Sequence, residues 1–360
     1  MKQSLIALAV AGAFAAPAAM AAATIGGEID VAYQQFNNGT NSGLQATDTH
    51  SRWWMDATDD IGGGMSVVGH FEIDQGVSNP RGMNNRNSFI GLKGDFGMVK
   101  IGAEEGIYEQ LGYQVDPYHG AAGPAGNIVN GLGQAGAPAV GLNDLCGAAN
   151  PGCNRLANTL SYVSPNISGL NFKVDFSNFG PAPTGGQKKS VIQAGAYWGG
   201  NVAEGVGLRV AAGMFSGKQL DAGVGDLIDK TNGTRVVVGG TVAGLSLDLL
   251  IEQNKWSDEG DVVKANHMWL TGSYALPTGS IAFNVAKLGK TKLNGTELQN
   301  TDGTHMGVGY YHTLSKASSA YVIYSALKNK DAAQFTLVDG ATEAVGKDPS
   351  SISVGLYTVF

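Results

Sequence analysis

Apolar and polar residues alternate along most of the chain, in segments of about ten residues each. Between 172 and 177, phenylalanine and valine occupy one face, and lysine, aspartate and serine occupy the other. The same two-residue period recurs near 25–34, 52–57, 65–74, 206–214, 245–252, 281–285 and 352–360. A period of two predicts strands with one apolar and one polar face.

The lengths of these segments and of their connections predict the architecture. A tilted strand needs about 9–11 residues to cross a membrane, which matches the alternating segments. Short turns alternate with longer polar connections, a pattern typical of a barrel with periplasmic turns and extracellular loops. The segments number about 16, so we predict an all-β fold, an antiparallel transmembrane β-barrel. The predicted long loops are Asn37–Thr49, Phe179–Lys189, Ser216–Asn232, Asn254–Val263, Gly289–Thr304 and Asn329–Ser350.

A soluble β-sandwich is the alternative, because half-buried strands alternate there as well. A sandwich rarely has this many strands. Its interior would also have to hold the charges of the polar faces, at a large cost in desolvation. Those charged residues are Arg52, Glu72, Lys173, Arg209 and Asp248.

The longest connection, from Glu105 to about Asn158, is rich in glycine, alanine, asparagine and proline. A loop of this length is unusual within a compact domain. It is accommodated if it folds into a hollow barrel and narrows the bore. We therefore predict an inward-folded third loop that forms a constriction.

The N-terminal stretch indicates export. A short basic start, an apolar run and a small-x-small site at 19–21 predict a cleaved signal peptide over residues 1–21. The remainder, 22–360, shows no linker and is predicted to be one barrel domain. Outside the signal, no window approaches about 18 consecutive apolar residues, so a helical membrane protein is excluded.

Charge and motif content narrow the function classes. Lysine and arginine total 23 against 30 acidic residues, which makes nucleic acid an improbable partner. The six histidines have no metal-ligand spacing, and the single G-x-G-x-x-G match, at 131–136, follows no predicted strand. We predict no cofactor, no metal and no enzymatic activity.

Both cysteines, Cys146 and Cys153, lie within the long insertion. An exported chain with an even number of cysteines favours a disulfide that would tie the loop. A metal site is the alternative, although two thiolates without a nearby histidine fit it poorly.

Several segments resemble the general porins of Gram-negative outer membranes, of the neisserial and betaproteobacterial kind. The segments are HSRWWMDATDDIGGGMSVVGHFE, RNSFIGLKGDFGMVKIG, YEQLGYQVDPY, NTLSYVSPNISGLNF, GYYHTLSKASSAYVIYSALKN and SISVGLYTVF. They cover nearly the whole chain after the signal and occur in the family's order. The resemblance implies a homotrimer of water-filled channels for small hydrophilic solutes and ions. It also implies contact with outer-membrane lipid, lipopolysaccharide and the outer-membrane assembly machinery.

In this family, acidic residues of the third loop face basic residues of the wall. The resemblance implies Arg52, Arg86 and, less directly, Arg155 as basic constriction residues. For Arg86 we also expect the lumen-facing register, because it is an odd number of residues from Phe89. The predicted acidic residues are Glu104, Glu105, Glu109 and Asp116 on the loop side and Glu72 on the wall.

Three further features follow from the comparison with the family pattern. Phe360, after alternating apolar residues, resembles the assembly signal of the final strand. The chain departs from the pattern at Leu160-Ser161-Tyr162, where many relatives have Ile-Arg-Tyr, and at Tyr357-Thr358-Val359, where the family has basic residues. Positive charge is thus lost at both places, and the anion preference common in the family does not transfer directly.

Two other functions stay open on the sequence alone. An outer-membrane adhesin or receptor would bind a partner through its loops while its lumen is blocked. A barrel hydrolase would use serine and histidine on the outer wall, for which His267 and His312 are the candidates.

Overall fold

The computed structural model describes residues 22–48, 50–77, 83–118, 155–178, 190–221, 227–258, 260–337 and 344–360. The predicted signal peptide, both cysteines and most of the long insertion lie outside these residues. The strands are β1 (Ala22–Asn37), β2 (Ser42–Asp48), β3 (Arg52–Gly62), β4 (Met65–Asp74), β5 (Asn84–Gly94), β6 (Gly97–Glu105), β7 (Arg155–Val163), β8 (Leu170–Asn178), β9 (Ser190–Ala203), β10 (Val206–Asp221), β11 (Leu227–Val242), β12 (Leu245–Asp258), β13 (Asp261–Leu276), β14 (Gly279–Leu288), β15 (Lys292–Leu293), β16 (Thr296–Glu297), β17 (Gly303–Thr313), β18 (Ser318–Asn329) and β19 (Ser350–Val359). One helix, α1 (Ile107–Tyr113), follows β6.

The strands form one closed antiparallel barrel, because β1 pairs with β19 along Glu28–Asn37. The strands β2 and β3 together form one strand position of the wall, because β2 pairs with one half of β1 and β3 pairs with the other half. The short strands β15 and β16 form a hairpin within a connection, while β14 pairs directly with β17. The barrel is therefore 16-stranded, as predicted from the sequence.

Side chains alternate between the two faces of the wall, and this confirms the predicted pattern. Along β8, phenylalanines and valine face outward while Lys173, Asp175 and Ser177 face the bore and are buried. Apolar side chains therefore cover the outside, where burial in lipid is favourable. Among the helices of the described residues, none is long and apolar enough to cross a membrane.

Short turns close one rim of the barrel, which we call the short-turn rim. Between β3 and β4 the chain turns through Gly62, Gly63 and Gly64, all at positive φ. Only glycine adopts this backbone without strain, and the Asp60 carboxylate accepts a hydrogen bond from Gly62 N at 2.8 Å. This connection is one of the short turns that the sequence predicts between alternating segments.

Several predicted long loops are instead strand extensions. The predicted loop Asn254–Val263 contains the ends of β12 and β13, paired as far as Asp258 and Asp261. In the same way β2 occupies most of Asn37–Thr49, and β10 and β11 extend into Ser216–Asn232. These predictions were wrong because the ends of these strands are rich in polar residues and glycine, a composition that is also typical of loops.

An apolar core fills part of the bore. It forms where α1, the residues that follow it and the segment 330–337 pack against strands β10 to β18. Its largest members include Trp269, Phe335, Tyr118, Tyr311 and Leu111, all nearly or fully buried. The opposite side of the bore, formed by β19, β1 and β3 to β5, carries mostly polar side chains on its inner face.

Candidate pore constriction

The long connection enters the bore at Gly106 and begins α1 directly afterwards. A Cβ at Gly106 would lie 2.2 Å from Gln193 Oε1, so the close approach to the wall requires glycine. The Asp175 carboxylate accepts a hydrogen bond from Ile107 N at 3.0 Å, and Gln193 Oε1 accepts one from Tyr108 N at 2.9 Å. Two polar side chains of β8 and β9 therefore satisfy free N–H groups of the first turn.

A buried ion pair between Arg235 and Glu252 holds Tyr108 of the loop against the wall. Arg235 donates to Glu252 at 2.8 Å and to the carbonyl oxygen of Tyr108 at 2.8 Å. Its guanidinium carbon lies 4.2 Å from the centre of the Tyr108 ring. Both charged side chains are fully buried, so this pairing fixes the helix against β11 and β12.

The segment after α1 continues along the same wall. Thr271 of β13 donates to the carbonyl oxygen of Val115 at 2.7 Å. Tyr118 donates to Asn284 of β14 at 2.8 Å, and Tyr311 of β17 donates to the carbonyl oxygen of Tyr118 at 2.7 Å. Residues 106–118 are thus bound to strands from β8 to β17. We call the region between them and the facing wall of β19, β1 and β3 to β5 the opening; there the Tyr113 ring approaches His50 at 6.2 Å between centroids.

A row of arginines and carboxylates lines the wall at this opening. Arg52 Nε lies 2.7 Å from Glu28 and 3.2 Å from Glu72. Arg86 Nε lies 2.5 Å from Glu72, and its Nη2 lies 3.3 Å from Glu105. The structure therefore brings Arg52, Arg86, Glu72 and Glu105 together.

Arg155 joins the end of this row, since its Nη2 lies 2.8 Å from Glu105. All three arginines predicted from the sequence are therefore linked through carboxylates. Glu28, which pairs with Arg52 and accepts a hydrogen bond from Tyr357 at 2.9 Å, was not predicted. Its position opposite Arg52 becomes visible only when β1 and β3 are paired.

The reason given for Arg86 was wrong, although its lumen-facing position is right. Phe89 faces the bore, where its ring stacks on His70 at 5.3 Å between centroids. Strict alternation from Phe89 would point Arg86 at the lipid. A β-bulge between Phe71 and Ile73 of β4 adds one residue to β5 and turns Arg86 inward.

Two of the carboxylates that we predicted on the loop side, Glu104 and Glu105, belong to the barrel wall instead. Glu104 and Glu105 are the last residues of β6, and Arg155 is the first of β7. Glu104 contacts the ammonium groups of Lys100 and Lys173, the latter at 3.1 Å. Lys100 was not predicted, although its alternation with Val99 and Ile101 places it on the inner face.

The remaining predicted acidic residues lie on the loop. Glu109 is buried in α1, and its Oε2 has no hydrogen-bond partner among the described residues. Burial, reinforced by the nearby Glu105 carboxylate, raises the pKa of Glu109 to about 8. Asp116 accepts a hydrogen bond from Tyr118 N at 2.9 Å, which shapes the turn after the helix.

Two histidines near the arginine row were not predicted. His50 Nδ1 lies 3.4 Å from Glu28, and His70 Nδ1 lies 2.7 Å from Asp56. Within the described ranges, no group of histidine, cysteine, aspartate and glutamate has an arrangement that could hold a metal. The hydrolase candidate His267 lies inside the barrel, buried against Phe335, rather than on the outer wall.

A closed antiparallel barrel with an inward-folded connection and a charged opening defines a diffusion channel of the bacterial outer membrane. The family model described as Gram-negative porin matches residues 7–332, and the chain belongs to that family.

Relatives and solved structures agree with this assignment. Outer membrane porin protein 32 of Delftia acidovorans is 30% identical over 381 residues, covering 100% of both chains. Major outer membrane protein P.IB of Neisseria lactamica is 26% identical, covering 70% of this chain and 71% of its own. A solved structure titled anion-selective porin from Comamonas acidovorans has a TM-score of 0.75 at 20% identity, covering 94% of this chain and 100% of that one.

The chain is therefore an outer-membrane porin that forms a water-filled channel for passive diffusion of small hydrophilic solutes and ions. Membership of this family identifies a channel rather than an enzyme. The family assignment also favours the open channel over the adhesin with a blocked lumen.

Proposed function

We propose that the opening between residues 106–118 and the wall of β19, β1 and β3 to β5 is the constriction of this channel. Arg52, Arg86 and Arg155 are its basic residues, and Glu72 and Glu105 are interleaved with them. Glu109 and Asp116 belong to the loop side, and Glu104 supports the wall behind the loop. The observation that carries the proposal is the continuous arginine–carboxylate row at 2.5 to 3.3 Å.

Such a row acts on permeating ions through its field. In a narrow, poorly screened passage, fixed charges orient water and change the energy of each passing ion. Transport therefore needs no turnover, cofactor or energy input. The likeness to the Comamonas acidovorans structure, titled anion-selective, is at 20% identity and supports the fold alone. The ion preference must come from this chain's own charges.

Alanine at Arg52 or at Arg86 tests the constriction. Each change removes one positive charge from the row while all of its carboxylates stay, so the permeability ratio of cation to anion is expected to rise on the order of twofold. Reversal potentials across a salt gradient in planar bilayers measure this ratio, and the same recordings show whether a steady open channel forms.

The matched control is Lys292→Ala, which removes an exposed cation 3.2 Å from Glu297 in the β15–β16 hairpin. This control is expected to keep the wild-type ratio, because its charge is in open solvent. Unchanged ratios in both arginine variants would remove these residues from the constriction.

We also propose that the protein assembles as a homotrimer through the outer face of β19 and β1. Among the structural neighbours, OmpT of Vibrio cholerae is titled a trimer form, with a TM-score of 0.66 at 12% identity. Tyr33 and Val354 lie directly opposite each other in the β1–β19 pair, so the two strands present one continuous outer surface to a partner. This surface is apolar and exposed, as at Tyr33, Val354 and Leu356.

Lysine at Val354 is expected to lower the temperature at which an SDS-resistant trimer dissociates, by roughly 10 °C. Val285 on β14 is the matched control, since it is equally exposed and lies three strands away from β19 along the wall, outside the proposed interface. Val285→Lys meets lipid in the same way but leaves the proposed interface intact. Gels run after graded heating measure the dissociation. Equal losses in the two variants, or a wild type without an SDS-resistant band, would contradict this interface.

Further proposals concern residues at the ends and within the loop. We propose that residues 1–21 are a cleaved signal, that 22–360 form one barrel domain and that Cys146 and Cys153 form a disulfide. Lipid, lipopolysaccharide and the assembly machinery are proposed partners. Phe360 exchanges two backbone hydrogen bonds of 3.0 Å with Gly27, and we propose that the assembly machinery recognises it.

A further inference from the structure

We propose that this channel passes cations in preference to anions. The inference rests on the constriction proposed above and concerns the sign of the charge that a permeating ion meets there. Arginines dominate the predicted site, and on their own they would attract anions. We nevertheless expect a preference for cations. The arginines are paired with carboxylates, the nearby lysines are buried, and further carboxylates remain.

The arginines at the opening are compensated within the wall itself. Arg52 lies between Glu28 and Glu72, and Arg86 lies between Glu72 and Glu105. Glu105 also contacts Arg155. The three guanidinium groups therefore meet three carboxylates at contact distance, and the row as a whole is close to neutral for an ion that passes it.

The inward lysines next to this row do not face the passage. Lys173 Nζ lies 3.1 Å from Glu104 and 3.3 Å from Asp175, and it donates to the carbonyl oxygen of Glu105 at 2.8 Å. Lys100 contacts the same Glu104 carboxylate. Their side chains are 4% and 8% exposed, so both lysines are compensated and screened from permeating ions.

What remains at the passage is acidic. The Asp56 side chain is 50% exposed and contacts His70 rather than a lysine or arginine. Asp30 accepts a hydrogen bond from the Tyr321 hydroxyl at 2.5 Å and is buried, so it is screened from permeating ions in the same way as the two lysines. Lys93 is exposed on the inner face at the short-turn rim, where it shares a row with Ser66 and the acidic Asp60.

The sequence of the loop points the same way. Between 119 and 154 it contains Asp144 and neither lysine nor arginine. This segment therefore adds neither lysine nor arginine to the charge of the chain. A small excess of negative charge in a passage of low dielectric is enough to favour cations, because the interaction of two charges grows as the dielectric constant falls.

Reversal potentials of the purified full-length channel in a KCl gradient test this sign. The dilute side contains about 0.1 M KCl, where the Debye length is about 10 Å. Under this condition the permeability of wild type for K⁺ is expected to exceed that for Cl⁻ on the order of threefold. Glu72→Gln removes the carboxylate that Arg52 and Arg86 share, which leaves the row with one net positive charge more, and it is expected to move the ratio towards Cl⁻. Asp56→Asn is expected to lower the K⁺ preference without disturbing the arginine row.

Glu297→Gln makes the same chemical change in the exposed hairpin and is expected to leave the ratio unchanged. A wild type that favours Cl⁻ in a steady channel would overturn the cation preference while leaving the proposed constriction in place. Loss of K⁺ preference in Glu297→Gln as large as in Asp56→Asn would overturn it as well. Absence of any steady conductance would instead overturn the channel assignment and the inference with it.

Discussion

Replacing Arg235 with methionine is expected to loosen the third loop and to cost about 3–5 kcal/mol in barrel stability. The change removes the cation from a fully buried pair and leaves the Glu252 carboxylate without its counter-charge. It also removes the hydrogen bond to the Tyr108 carbonyl oxygen and the stacking on the Tyr108 ring. The temperature at which the barrel unfolds in detergent measures the loss. Single-channel recordings are expected to show frequent current fluctuations, because the loop is no longer held against the wall.

Two controls separate the buried pair from a general effect of lost charge. Arg235→Met combined with Glu252→Leu removes both charges and is expected to recover most of the stability, since no buried charge is left alone. Arg209→Met breaks the ion pair between Arg209 and Asp248. Because the Arg209 side chain is 29% exposed, this change is expected to lower the stability of the barrel by about 1 kcal/mol or less. An equal loss in the Arg209 and Arg235 variants would show that burial does not set the cost.

Raising the pH from 6 to 9 is expected to weaken the docking of the third loop through Glu109. Its pKa in the docked loop is about 8, against an ordinary value of 4.5. Between these two values the docked loop binds a proton that the released loop has given up. Docking therefore loses about 1.4 kcal/mol for each pH unit across that window, and stability falls as the pH rises.

Glu109→Gln is the variant that isolates this effect. The glutamine has the same shape and no titrating proton, so its channel noise and unfolding temperature are expected to vary less with pH than those of wild type. Recordings at graded pH in bilayers measure the difference. If the glutamine variant follows the same pH dependence as wild type, the titrating group is elsewhere.

The barrel could be predicted from the sequence because lipid imposes a strict rule on each strand. Val174 and Phe176 must face the lipid if Lys173 and Asp175 face the bore, and the core of a soluble β-sandwich could hold so many charges only at a large cost in desolvation. The ends of the strands could not be predicted in this way. Lys255 and Ser257 lie beyond the apolar band, where strand and loop have the same polar composition.

The predicted site was less complete than the predicted fold. Family positions identified Arg52 and Arg86, but their ion pairs join residues on five different strands. Glu28 and Glu105 become partners of these arginines only through the register between neighbouring strands. The bulge in β5 has no sequence signal in a single chain, and it decides which way Arg86 points.

The one-sided filling of the bore has a consequence for how this barrel tolerates mutation. Strands β10 to β18 enclose a dry interior, so volume changes at Trp269 or Phe335 are expected to be as costly as in the core of a soluble enzyme. Across the bore, many inward side chains are charged or polar and are held in ion pairs, so a substitution there is expected to be tolerated when the charges stay balanced. A single cylinder thus combines two regimes of sequence variation, one governed by shape and one by electrostatics.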